Sequence, residues 1–225
     1  KLYQGIYSGN ITIDARKPIT SIRLASNIQD LDLASLIHSK TRTRTLAGNG
    51  NVAVNLNAEG KSINYLIETL SGTIKLLVNE GVFTGLDAVA VLSIVEKIIE
   101  CKCLQTLPQS GKTSFKKLSA TANIHQGIVK SDDFVIEGKG FLIKGNGKAD
   151  LKKELLNLAL ALEVPQHREK EGREIYNIGG YIVPIGCKGK FEKLKCKPDL
   201  EPLVKKIVRN KAQKKMEEMI GNKIK

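Results

Sequence analysis

Apolar and polar residues alternate with a period of two over most of this chain, the signature of half-buried strands. Tyr3, Gly5, Tyr7, Gly9, Ile11 and Ile13 share one face of the first run, with Ser8, Asn10, Thr12 and Asp14 on the other. Pro18 breaks the run, and Ile22, Leu24, Ser26 and Ile28 resume it. Leu46, Gly48, Gly50, Val52, Val54 and Leu56 oppose Asn49, Asn51, Asn55 and Asn57. Further strands are predicted on Ile74, Leu76 and Val78, and on Leu118, Ala120, Ala122 and Ile124. Phe134 and Ile136 follow, after a turn expected at Ser131–Asp133, and then Phe141, Ile143, Gly145, Gly147 and Ala149. Leu156, Leu158, Leu160, Leu162 and Val164 form a long apolar face, and Tyr181, Val183, Ile185 and Cys187 close the series.

Helical spacing is confined to four short regions. Asp32 is placed to cap one near 32–38, with Leu33, Leu36 and Ile37 on one side. Ser62 is placed to cap another near 62–70, carrying Ile63, Leu66, Ile67 and Leu70. A longer helix is predicted from Asp87 over 87–100, with Val91, Leu92, Val95, Ile98 and Ile99 apolar. The last follows Pro198, starts at Asp199 and runs to about Ile220, basic in its middle and amphipathic. The fold class expected is therefore mainly β with a few helices: a long, strongly curved antiparallel sheet with short connecting helices. A sheet domain over 1–198 is followed by a basic amphipathic C-terminal helix within 199–225. The glycines Gly48, Gly50, Gly145 and Gly147 lie inside strands, where they are expected to mark bulges or bends.

Composition then narrows the function classes. The chain has 225 residues, 41% of them hydrophobic, enough for a core. Lys and Arg number 36 against 23 Asp and Glu, a net charge of +13. Aromatics are only 4%, without Trp, so the stacking platforms of nucleic-acid binders are missing and no nucleic acid is expected as partner. The lysines spread over strand exteriors and loops, with clusters at 188–197 and 205–215. They fit a solvated face or an anionic surface such as lipid headgroups, and the C-terminal helix fits an interfacial helix or one packed on a sheet edge. No stretch reaches the roughly 20 apolar residues of a membrane span; 86–99 is interrupted by Asp87, Ser93, Glu96 and Lys97. The opening at Lys1 leads us to expect a piece of a longer protein.

Candidate chemistry is sparse. Gly111-Lys112-Thr113 lacks the upstream glycine of a phosphate loop, where Thr106 stands. His38, His125 and His167 are scattered, and no nucleophile, metal set or cofactor motif forms. An enzyme and a cofactor are not expected. The four cysteines are Cys101, Cys103, Cys187 and Cys196; their C-x-C and C-x8-C spacings suit zinc poorly. Cys187 and Cys196 bracket a Lys-rich hairpin, and either close it as a disulfide or remain partly buried thiols.

Several stretches resemble the AsmA-like family. They are Leu70-Ser71-Gly72-Thr73-Ile74 through Asn79-Glu80-Gly81-Val82-Phe83-Thr84-Gly85-Leu86-Asp87, and Thr113, Phe115, Leu118, Ala120, Gly127 and Asp132. Gly145, Gly147, Asp150 and Leu151 follow, then Val183-Pro184-Ile185, Gly189, Phe191 and Lys197-Pro198-Asp199-Leu200. The opening Tyr3-Gln4-Gly5, Ser8-Gly9 and Asp14-Ala15 is similar too, so the resemblance covers nearly the whole chain. Cys101-Lys102-Cys103, Cys187 and the basic helix depart from it. The resemblance implies a periplasmic protein of a Gram-negative bacterium, tethered to the inner membrane by an N-terminal helix outside this sequence and linked to outer-membrane biogenesis. It also implies likeness to bridge-like lipid-transfer proteins, whose curved sheets shield acyl chains.

On that reading the apolar faces become groove candidates: Ile11, Ile13, Ile22, Leu24, Val52, Val54, Leu56, Ile74, Leu76, Val78, Leu118, Ala120, Ala122, Ile124, Ile143, Leu158, Leu160 and Leu162. Small residues such as Ala120 and Ala122 would keep the trough open. The expected partners are a phospholipid or other acyl lipid, an anionic membrane surface through the C-terminal helix, and outer-membrane assembly factors. The competing readings are a closed core, and an assembly module that works through its sheet edges.

Overall fold

The computed structural model describes residues 3–16, 18–36, 46–101, 111–163 and 180–207, with the single positions 209, 213 and 216. Among these residues ten strands form one sheet in the order of the chain, every neighbouring pair antiparallel. They are β1 (Ile6–Asp14), β2 (Thr20–Asp32), β3 (Leu46–Gly60), β4 (Ser71–Thr84), β5 (Lys112–His125), β6 (Ile128–Gly138), β7 (Phe141–Asp150), β8 (Leu155–Glu163), β9 (Ile182–Lys190) and β10 (Lys193–Pro198). Helix α1 (Ile63–Thr69) joins β3 to β4, and α2 (Ala88–Cys101) follows β4. A helical turn occupies 33–36, and a helix begins at 201. The expected mainly β, open antiparallel sheet is what the chain forms.

Register explains why the alternation was so regular. One residue row crosses the sheet from β2 to β9 through direct partners: Leu31, Gly50, Val78, Leu118, Ile136, Ile143, Leu162 and Val183. Each side chain in it is at most 2% exposed. The row shares one buried cluster with Val91, Leu92, Val95 and Ile98 of α2 and with Leu203 and Ile207 of the C-terminal helix. The two helices therefore cover the same end of the sheet, and the core sits there. Aligned burial of this kind is the main favourable term of folding.

Irregularities steer that row. In β2 the pairing slips between Ile28 and Leu31, with Asp30 at φ 52, and the extra residue returns Leu31 to the apolar face. Gly48 sits at a similar slip, as expected of a strand glycine, here opposite the extra residue of β4, where Glu80 takes φ 48. One expectation is corrected. Ser131–Asp133 is not a turn but a bulge inside β6; the turn lies at Gln126–Gly127, where both residues take positive φ. Gly145 and Gly147 lie opposite that bulge, as expected: Ser131 pairs with Gly147 and Phe134 with Gly145, so two β6 residues stand against the single Asn146, while the β7–β8 register is continuous. Their missing Cβ atoms make room for the Leu160 and Leu158 side chains, whose methyls would lie 2.6 and 2.4 Å away.

The sheet is strongly coiled. A flat arrangement would put the end of β4 about 29 Å from β10, six strands on at ~4.8 Å each. Instead a methyl on Gly85, just past β4, would lie 3.9 Å from the Leu194 carbonyl of β10. Right-handed twist accumulated over many strands brings such distant segments together.

Helix starts follow the predicted chemistry with one exception. Asp87 Oδ1 accepts the Ala90 N–H at 2.9 Å, and Asp32 Oδ1 accepts those of Ala34 and Ser35 at 3.0 and 3.3 Å. Asp199 Oδ1 accepts the Glu201 N–H at 3.1 Å. Ser62 occupies the N-cap position of α1, but its side chain makes no capping bond. The expected residues Ile37, His38, Cys103, Val164, His167 and Ile220 lie outside the described positions.

Candidate lipid trough

All the groove candidates fall on one face of the sheet, because each is a direct partner of another or sits two residues along the same strand. They do not share one environment. Val78, Leu118, Ile143 and Leu162 lie in the sealed row that packs with α2 and the C-terminal helix, and Leu160 and Ile124 are 5% and 6% exposed. These pack as core. Ile22, Leu24, Val52, Val54, Leu56, Ile74, Leu76, Ala120, Ala122 and Leu158 are only partly covered. Ile11 and Ile13 on edge strand β1 are 59% and 63% exposed.

Beyond the sealed row the apolar face is mostly only partly covered, although Ser26, Ile124 and Ala149 stay buried. Tyr7, Ile28, Val52, Leu76 and Ala120 form the row next to the core on β1–β5. Gly9, Ser26, Val54, Ile74 and Ala122 form the one beyond it. The third crosses every strand without a gap: Ile11, Leu24, Leu56, Gly72, Ile124, Val129, Ala149, Leu156, Gly189 and Leu194. No charged residue interrupts any of the three. An apolar floor thus runs crosswise to the strands, with α2 along one side.

Helix α1 stands over the other side. It has no buried residue, and its Ile63 and Tyr65 are 75% and 59% exposed. Between it and the sheet lies a cavity of about 210 Å³ lined by Ile22, Leu24, Leu56, Asn57, Ala58, Ile63, Leu66, Ile67 and Leu70. That is smaller than a site enclosing a whole drug-sized ligand, which takes about 300–1,000 Å³. Hollows of about 340 and 530 Å³ lie on the opposite face, where Ser8, Asn27 and Lys75 add polar groups to a mixed lining.

Local bonds hold α1 in place. Thr69 Oγ1 accepts the Glu59 N–H at 2.9 Å and donates to the Glu59 carbonyl at 2.6 Å. The Gly127 N–H donates to Leu70 O at 3.0 Å, and a Cβ on Gly127 would meet the Ile67 carbonyl at 2.5 Å. Gly127 therefore supplies both a φ of +72° and the close approach. Lys152, in the β7–β8 turn, donates to the Glu68 carboxylate, which pushes the lysine's pKa up.

The other end depends on residues that the chain pattern did not single out for this role. Thr113 is 1% exposed; its Oγ1 accepts the Ala88 N–H at 3.0 Å and donates to the Leu86 carbonyl at 2.7 Å. It serves the start of α2, which accounts for the Gly-Lys-Thr triplet structurally. Cys187 and Cys196 are direct partners on β9 and β10, joined by a disulfide with Cα atoms 4.0 Å apart. Cys187 is fully buried, so the bridge lies on the apolar face and ties β10, and the helix after it, to the core. Lys206 of that helix lies 5.4 Å from the Tyr181 ring centroid.

Among the described residues no three His, Cys, Asp or Glu side chains are grouped to hold a metal, and no helix is long and apolar enough to cross a membrane.

The model of the AsmA family matches residues 1–134, more than half of the sequence, and the chain belongs to that family. The match ends within β6, whereas the sheet continues unbroken to β10. Membership fits a role related to lipid transport or envelope assembly in general, in a family that is generally non-catalytic. No curated protein and no solved structure matches the chain.

Proposed function

We propose that this chain is a non-catalytic, lipid-handling part of a periplasmic protein, shielding phospholipid acyl chains on its apolar floor for transport to, or maintenance of, the outer membrane. The observation that carries the reading is the row from Ile11 to Leu194: apolar or glycine at every strand, and only partly covered over most of its length. Each methylene moved from water onto such a surface gains about 0.8 kcal/mol. The tail lies along the floor while the headgroup stays in water. The Cys187–Cys196 disulfide supports an oxidising compartment such as the periplasm. A tether to the inner membrane by an N-terminal helix belongs to the same reading. The exposed Lys205 and Arg209 of the C-terminal helix present charge to anionic headgroups.

Native mass spectrometry of the purified chain tests this. Phospholipid adducts, exchangeable for added lipid, are expected; a bare mass in the presence of excess lipid contradicts it.

One observation favours a second reading, assembly of outer-membrane proteins through a sheet edge. Edge strand β1 has nine residues, with no Lys and no Pro to blunt it. Crosslinks from Ser8 or Asn10 to β-barrel precursors, without lipid carriage, would favour that reading.

A further inference from the structure

The outer face of the sheet carries a charge pattern that the trough does not use. Register sets Lys130 directly opposite Lys148, Lys188 opposite Lys195, and Lys190 opposite Lys193. Asn157 is the partner of both Lys148 and Lys188, so the first two pairs belong to one row across β6–β10. Lys197 adds a further charge opposite Gly186. All seven lysines are exposed. Because Cys187, Leu194 and Cys196 point to the apolar face, the alternation sends every lysine of β9 and β10 outward.

Like charges directly opposed across strands destabilise a sheet. No ion pair among the described residues offsets them here. The ion pairs among the described residues involve Arg16, Lys144, Lys152, Lys153 and Lys205, none of which belongs to this group. The neighbouring Asp150 is engaged by the Lys153 N–H at 3.0 Å, and Glu192 projects from the hairpin turn as an exposed side chain. The free protein therefore holds a repulsive ladder that an extended anionic surface would relieve.

We propose that the outer face of β9–β10, continued by Lys130 and Lys148, docks on the anionic phospholipid headgroups of a bilayer. A planar array of negative charge meets a row of lysines without needing a groove-reading element. A nucleic acid fits less well: this face has no exposed aromatic side chain on which bases could stack, Phe191 in the turn being partly buried. Docking there also brings the Leu194 end of the apolar floor to the membrane. The surface is separate from the C-terminal helix, whose Leu203 and Ile207 are buried in the core. It stands whatever the trough carries.

The test is flotation of the full chain with vesicles of phosphatidylcholine, with and without phosphatidylglycerol, at low and high salt. Binding is expected only to the anionic vesicles and only at low salt. Each lysine near such a surface is worth roughly fivefold in affinity. Replacing Lys188, Lys190, Lys193, Lys195 and Lys197 by Gln should then cut binding at least ~100-fold. A control with Lys75, Lys112, Lys116, Lys117 and Lys139 replaced by Gln loses the same charge elsewhere and should bind within a few-fold of wild type. Circular dichroism checks folding of both variants, and relief of repulsion should leave the Tm of the first unchanged or higher. Binding that survives the β9–β10 substitutions, or falls equally in the control, overturns the proposal. So does a wild-type chain that binds a single-stranded oligonucleotide but not anionic vesicles.

Discussion

Ile74 and Leu118 lie on the same face of adjacent strands, yet the account assigns them opposite roles. Ile74 is a half-covered floor residue between Val54 and Ala122, whereas Leu118 is 2% exposed between Val78 and Ile136. A tail burying about twelve methylenes gains ~10 kcal/mol gross. Association costs at least ~4 kcal/mol, which leaves ~6 and a dissociation constant of tens of micromolar. Ile74→Asp puts a carboxylate under that tail. Stripping its water on binding costs several kcal/mol, so affinity for a fluorescent fatty acid should fall at least ~10-fold. Its cost to folding should be modest, about 1–2 kcal/mol, because the site is already open to water. Leu118→Ala should do the reverse: lose about 2–5 kcal/mol in urea unfolding, with binding near wild type where the variant is folded. Fluorescence titration and urea denaturation on the same preparations give both quantities. Unchanged binding by Ile74→Asp would refute the assignment, as would abolished binding by folded Leu118→Ala.

Three further outcomes follow from the same contacts. Reducing the Cys187–Cys196 bridge, whose sequence separation is 9, should cost about 2–3 kcal/mol in the chain-entropy description, read as a lower urea midpoint with reductant present. Thr113→Val leaves the Ala88 N–H without its buried acceptor, and about 1–3 kcal/mol should be lost by the same measurement. Asp133 is held below its ordinary value of 3.8, chiefly by the Thr121 N–H donating to it at 2.7 Å. A depressed folded pKa stabilises above the unfolded value, and that contribution fades as pH drops below about 4 toward the folded one. Asp133→Asn should flatten this acid limb of the stability profile.

Much of this architecture is legible in the chain because alternation is a direct record of face. Leu118, Ala120, Ala122 and Ile124 read as one face of one strand and are so. The Asp at 87 announces a helix for a local reason, a side-chain oxygen within reach of free N–H groups. Position 131–133 misleads because Ser-Asp-Asp is turn chemistry that a bulge also accepts; here Asp133 bonds across to Thr121 instead of reversing the chain. Gly145 and Gly147 do stand opposite the β6 bulge, but a missing Cβ serves bending and packing alike, and only the register shows that Leu158 and Leu160 lie beside them. The division of the apolar face into core and floor was not legible. Val78 and Val54 look alike in the sequence, and what separates them is which row α2 covers. The opposed lysines were hidden for the same reason, since their pairing is a fact of register between strands.

The most direct test of an open, acyl-binding floor is photolabelling with a diazirine-bearing fatty acid, followed by peptide mapping. The account predicts labels on Leu24, Val54, Ile74, Ala122 and Leu158, and none on Val78, Ile143 or Val183 beneath the helices. Labels confined to the polar face around Asn27 and Asn55, or no labelling that unlabelled fatty acid competes away, would contradict it.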